Sequence, residues 1–98
     1  MAGEIVIQVT PQRRGFNFAL DPRSEKLLES LSDANPSNNN IFVGRDNKEA
    51  FEEFSFASFE NEIVTLLTGL TSEQLLEHVD VIEFQLMPSG DTEHRIAR

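Results

Sequence analysis

Two segments near the N-terminus have patterns of apolar residues that predict β-strands. Residues 4–10 form a short segment rich in β-branched side chains, which is typical of a strand. In residues 15–20 every second side chain is apolar, so that one face is hydrophobic; these side chains are Phe16, Phe18 and Leu20. Because residues 11–15 are rich in turn-forming types, we expect the two strands to form a β-hairpin.

A helix is predicted to begin directly after this hairpin. Asp21 can act as its N-cap, and Pro22 suits the first helical position, where a missing N–H costs nothing. The helix's apolar stripe is formed by Leu27, Leu28 and Leu31. We expect it to end by residues 35–36, ahead of a polar loop over 35–40 and a short apolar strand over 41–44.

The apolar positions between residues 46 and 70 change phase and therefore cannot belong to one amphipathic helix. We interpret residues 47–54 as a helix, with a strand as the rival interpretation. A break around 55–58 follows, with Ser58 as the N-cap of a second helix over 59–68. Gly69 is expected to end that helix.

The C-terminal third predicts one more helix and one clear strand. Thr71 and Gln74 have the spacing of a capping box, and the apolar face of the helix that follows is formed by Leu75, Leu76 and Val79. Residues 81–87 alternate cleanly, which predicts a strand, and residues 88–91 predict a turn. The tail, 92–98, is expected either to pair back as an edge strand or to fray.

These elements predict one α+β domain over residues 1–98. We expect a mostly antiparallel sheet with about three short helices packed on one face. The 98 residues include no cysteine, which excludes disulfides, thiolate metal sites and cysteine nucleophiles. We see no signal peptide and no apolar stretch of the roughly 20 residues that a membrane span needs, and so expect a cytoplasmic protein.

The charge is strongly asymmetric. Residues 1–48 carry six basic and six acidic side chains, whereas residues 49–98 carry eleven acidic and two basic ones and hold the whole net charge of -9. This excess argues against direct binding to nucleic acid or to an anionic membrane. Helical phase turns several of these carboxylates outward, and they are our candidate partner-binding residues: Glu49, Glu52, Glu53, Glu62, Glu73 and Glu77.

Other chemistry is sparse. The five glycines are scattered, so neither a phosphate-binding loop nor a dinucleotide fingerprint is present, and we expect no cofactor. His78 falls on the polar face of its helix and His94 in the tail, and both are interpreted as surface residues rather than metal ligands or catalytic groups. We therefore expect no enzymatic activity.

Two functional hypotheses follow, each from a different feature. The first is a small acidic binding or regulatory protein (an inhibitor, an immunity-type protein or an adaptor) that docks on a basic protein surface, such as that of a nucleic-acid-binding protein. The alternative is an assembly subunit that forms a homo-oligomer through Phe-rich or edge-strand surfaces. The acidic face also has a purely structural interpretation, as a solvated surface that keeps the protein in solution.

Overall fold

The structure, a computed structural model, describes residues 3–36, 40–44 and 56–97, with the backbone alone at 56–59. The elements in chain order are β1 (Glu4–Gln12), β2 (Gly15–Leu20), α1 (Pro22–Glu29), β3 (Ile41–Gly44), α2 (Phe56–Thr68), α3 (Ser72–Leu75), β4 (Val81–Leu86) and β5 (Asp91–Ala97). The strands form one sheet in the order β3-β2-β1-β4-β5. Three of the neighbouring pairs are antiparallel, and β1 with β4 is parallel. The predicted fold class, α+β with a mostly antiparallel sheet, is confirmed.

The hydrophobic core lies on one face of this sheet, where the alternate apolar residues of the strands meet the helices. Ile7 is in register with Phe84 of β4, and Val9 with Phe18 of β2. The rings of Phe18 and Phe84 meet edge to face with their centroids 6.3 Å apart, a geometry that aromatic pairs favour. The helices contribute buried residues to the same cluster, among them Leu28, Ile63, Val64, Leu67 and Leu75.

Helix α1 starts as the sequence predicts and docks against the beginning of β1. The Asp21 side chain accepts the backbone N–H of Arg23 at 3.1 Å, with Pro22 in the first turn. The Asp21 N–H in turn donates to the carbonyl of Val6 at 3.0 Å. The Ser24 hydroxyl accepts the backbone N–H of Val6 at 2.7 Å and is buried. The start of α1 therefore forms hydrogen bonds with β1 at Val6, directly beside the part of β1 that pairs with β2.

Helix α1 is shorter than predicted, because it ends at Glu29 rather than near residue 35. Ser30 stands at the C-cap, and its hydroxyl donates to the carbonyl of Leu27 at 2.6 Å. Serine and aspartate side chains compete for backbone hydrogen bonds in this way, which shortens helices. Leu28 is buried, but Leu27 is 36 % exposed, so only part of the predicted apolar stripe packs into the core.

Helix α2 begins at least two residues earlier than predicted, because its backbone is already helical at Phe56. Ser58 therefore lies inside the helix, and its assignment as an N-cap is wrong; Ala57 beside it is the best helix former. The helix predicted over 47–54, and its rival strand, lie outside the described residues. The C-terminus is as predicted: Gly69 follows the helix with φ +80°, a conformation that glycine adopts readily.

The C-terminal elements appear in the predicted order, but the helix is shorter than predicted. It ends at Leu75, so Leu76 and the buried Val79 lie beyond it. The capping box is present, with the N–H of Gln74 donating to the hydroxyl of Thr71 and the Gln74 amide oxygen accepting the Thr71 N–H. Strand β4 covers six of the seven predicted residues. The tail pairs with β4 along Asp91–Ala97, so the edge-strand alternative is confirmed for these residues.

Candidate functional site

The structure places three of the six candidate acidic residues, and all three are exposed. Glu62 lies on α2, Glu73 on α3, and Glu77 in the turn that follows α3. The other three, Glu49, Glu52 and Glu53, lie outside the described residues. The predicted outward orientation therefore holds for Glu62, Glu73 and Glu77.

Glu62 has an apolar neighbour on the outer side of α2. The inner side of this helix packs Ile63, Val64 and Leu67 into the core. Leu66 follows Glu62 by one helical turn, which puts both side chains on the same side, and it is 55 % exposed. An exposed large apolar residue beside a carboxylate distinguishes this side of α2 from an ordinary charged helix face.

Glu73 and Glu77 do not lie in one continuous helix. Helix α3 ends at Leu75, and the N–H of Glu77 donates to the carbonyl of Gln74 at 3.2 Å in the turn beyond. Glu73 belongs to the first turn of α3, where a negative charge is favoured by the helix dipole. Glu73 and Glu77 are therefore not an i,i+4 pair within one α-helix.

None of these three carboxylates is neutralised within the part of the chain that the structure describes. The ion pairs found there join Arg95 to Glu83 and His94 to Glu60. We call Glu62, Leu66, Glu73 and Glu77 the acidic helix surface. Its charge is open to solvent, as attraction of a cationic partner requires.

His94 is not the plain surface residue that the sequence predicts. It lies on β5 opposite Phe84, with the two rings 5.9 Å apart. Its Nε2 atom contacts the carboxylate of Glu60 on α2, and its side chain is 30 % exposed. The signal that could have shown this is the spacing of His94 and Ile96, which places both on the core side of an edge strand.

Glu83 is buried on the sheet face opposite α2 and α3. Its carboxylate accepts from Arg95 Nη2 at 3.0 Å and from Gln85 Nε2 at 3.1 Å. Alternation along β4 places Glu83 on the side away from the core, yet this residue is only 8 % exposed. The neighbouring long side chains on this face shield it from water.

A small cavity opens on this same sheet face beside the start of α1. Its volume is about 240 Å³, and it is lined by Glu4, Val6, Asp21, Arg23, Ser24 and Gln85. The residues come from β1, β4 and the N-terminus of α1, which the hydrogen bonds of Val6 to Asp21 and Ser24 hold together.

Among the described residues, no three His, Asp or Glu side chains are grouped so as to hold a metal ion. His78 is exposed, as the sequence predicts. No helix in the described part of the chain is both long enough and apolar enough to span a membrane. Comparison of the chain with protein-family models, curated proteins and solved structures finds no match.

Proposed function

We propose that this chain is a small non-enzymatic binding protein that docks on a basic protein surface through its acidic helix surface. The observation that supports this proposal is the combination of three exposed carboxylates, without a cation partner among the described residues, and the exposed Leu66. Carboxylates of this kind accelerate encounter with a cationic surface. The exposed Leu66, one helical turn from Glu62, supplies apolar area that is removed from water on contact.

The alternative is assembly into a homo-oligomer through Phe-rich or edge-strand surfaces. The exposed Phe42 on the edge strand β3 favours it, whereas the opposite edge, β5, does not. This strand carries charged residues along its length and a register irregularity opposite Phe84 and Gln85. Charged side chains and bulges are common means by which proteins prevent edge-to-edge pairing. An inhibitor, an immunity-type protein or an adaptor is the class of protein that we favour.

The experiment is a pull-down from lysate with the immobilised protein across a salt gradient, using a charge-reversed variant. Glu62→Lys combined with Glu77→Lys reverses two exposed charges, while Glu73 is kept because its charge favours the start of α3. We expect the wild-type protein to capture basic proteins, and capture to fall as salt is raised, since exposed charges are screened beyond about 10 Å at 0.1 M. The variant should lose at least about tenfold in affinity.

A matched control separates a specific surface from net charge alone. Glu29→Lys combined with Asp33→Lys also reverses two exposed acids, but these lie on and just after α1. This control should retain capture. Equal loss in both variants, or full capture by the Glu62→Lys/Glu77→Lys protein, contradicts the proposed docking surface.

A further inference from the structure

The cavity beside α1 is smaller than the pockets that hold drug-sized ligands but large enough for one side chain. Pockets that hold drug-sized ligands measure about 300–1,000 Å³, whereas this cavity measures about 240 Å³ and is open to solvent. A water molecule's share of liquid volume is about 30 Å³, so the space admits several heavy atoms. Its size therefore favours a single functional group carried by a larger partner.

Several of the residues around the cavity offer hydrogen-bond acceptors, beside the donors of Arg23 and Ser24. The Asp21 carboxylate accepts from Gln8 Nε2 at 3.3 Å and from the Arg23 N–H at 3.1 Å, and each carboxylate oxygen can accept a further bond. The amide nitrogen of Gln85 is engaged with Glu83, so its oxygen is the atom left for a ligand. Glu4 adds a second, exposed carboxylate.

The charge balance of the lining favours a cation. The lining includes two acidic residues, Glu4 and Asp21, and one basic residue, Arg23. The start of α1 lies close by, and a free helix N-terminus attracts anions. Here the Asp21 side chain already caps it, so its positive end is compensated.

We propose that this cavity binds the guanidinium group of an arginine side chain from a partner protein. A guanidinium is planar, carries five N–H donors and is weakly hydrated, which suits a shallow site rich in acceptors. Val6, which is 8 % exposed, supplies an apolar floor for the methylene stem. The site is separate from the acidic helix surface, because none of that surface's residues lines it.

The test is a titration of the ¹⁵N-labelled protein with methylguanidinium chloride, in which the chemical shifts of the backbone amides are monitored. We expect saturable shifts centred on Glu4, Val6 and Ser24. Potassium chloride at the same ionic strength should give no such pattern. Methylammonium, the lysine analogue, should bind at least about twofold more weakly, since it has fewer donors and a compact, strongly hydrated charge.

Two variants give opposite results if the assignment is right. Glu4→Gln removes one exposed carboxylate and should weaken methylguanidinium binding about two- to fivefold, which is the range expected for an exposed ion pair. Arg23→Gln removes the competing cation and should strengthen binding by a similar factor. Loss of structure cannot strengthen binding. Tighter binding by the Arg23→Gln variant therefore supports the assignment independently of any unfolding caused by Glu4→Gln.

Several outcomes overturn the proposal. They are shifts that potassium chloride reproduces, equal affinity for methylammonium, preferential binding of acetate, or an affinity that neither Glu4→Gln nor Arg23→Gln changes. Failure here leaves the docking proposal standing, because the small-molecule titration does not involve Glu62, Glu73 or Glu77. Conversely, loss of capture in the pull-down does not affect the methylguanidinium titration.

Discussion

The hydroxyl of Ser24 accepts the backbone N–H of Val6 at 2.7 Å, and both residues are buried. Val6 lies in β1 at the point where β2 has given way to α1, so its N–H has lost the strand partner that it would have in a longer hairpin. A side chain from the helix takes over this role. The contact links the first helix to the central strand and forms one wall of the cavity.

Ser24→Ala should destabilise the protein by about 1–3 kcal/mol, the cost of leaving a buried donor unsatisfied. Chemical denaturation measures this change. Ser30→Ala is the matched control, because Ser30 is exposed at the helix end and its hydroxyl only donates to a nearby carbonyl; we expect a change within about 0.5 kcal/mol. Equal effects of the two substitutions would show that the Val6 contact does not contribute to stability.

Gly69→Ala should destabilise the protein more than Gly90→Ala. Both glycines have positive φ, 80° and 81°, and each substitution incurs about 1–2 kcal/mol of backbone strain. A Cβ at Gly69 would also fall 2.8 Å from the Asn35 nitrogen, whereas a Cβ at Gly90 meets nothing within 4 Å. The Asn35 N–H caps α2 by donating to the Thr68 carbonyl at 2.8 Å.

We therefore expect an additional cost of about 1–3 kcal/mol at Gly69 from steric overlap, measured by thermal or chemical unfolding. Similar losses at both positions would mean that the loop carrying Asn35 moves aside without cost.

Thr71→Ala should remove the capping box of α3 and cost about 0.5–2 kcal/mol. The control is Thr65→Ala in the exposed part of α2, where the Thr65 hydroxyl donates to the Asn61 carbonyl. Alanine is the better helix former there, so the control should be neutral or slightly stabilising in denaturant unfolding. A neutral Thr71→Ala would mean that α3 is held by the burial of Leu75 alone.

The contact between His94 and Glu60 should couple the edge strand to α2. In a double-mutant cycle of His94→Ala and Glu60→Ala we expect a coupling energy of about 0.2–1 kcal/mol, since both side chains are partly exposed. Hydrogen exchange should show lower protection of the β5 amides in Glu60→Ala, with β1 unaffected. A coupling energy of zero would show that Ile96 and the strand ladder suffice to hold β5 in place.

Local patterns predicted the elements whose signal lies within a few residues. The β-branched composition of residues 4–10 located β1, and period-two alternation located β2 and β4. The spacing of Thr71 and Gln74 located the start of α3, because it reflects a local capping requirement. Element ends were less accurate. Ser30 and Ser58 are both serines near a helix boundary, yet one stands at a C-cap and the other lies inside a helix.

Relationships between distant segments could not be predicted in this way. The pattern in residues 4–10 predicts a strand. It does not predict that β4, rather than another strand, pairs with it in parallel. The cavity likewise joins Glu4, Asp21 and Gln85, which no local pattern brings together. The exposure of Glu62 was predicted correctly because it follows from helical phase along α2. Glu77 is also exposed, although it lies in the turn after α3 rather than in the predicted helix.

The parallel pairing of β1 with β4 has a consequence for how the chain acquires its structure. Glu4 lies beside Val81, and Val9 beside Leu86, so the central strand receives its second neighbour only after the C-terminal strands have been synthesised. Closing so long a loop is entropically costly and slows folding. We therefore expect the β1–β4 pair to form late in folding, after the hairpin of β1 and β2.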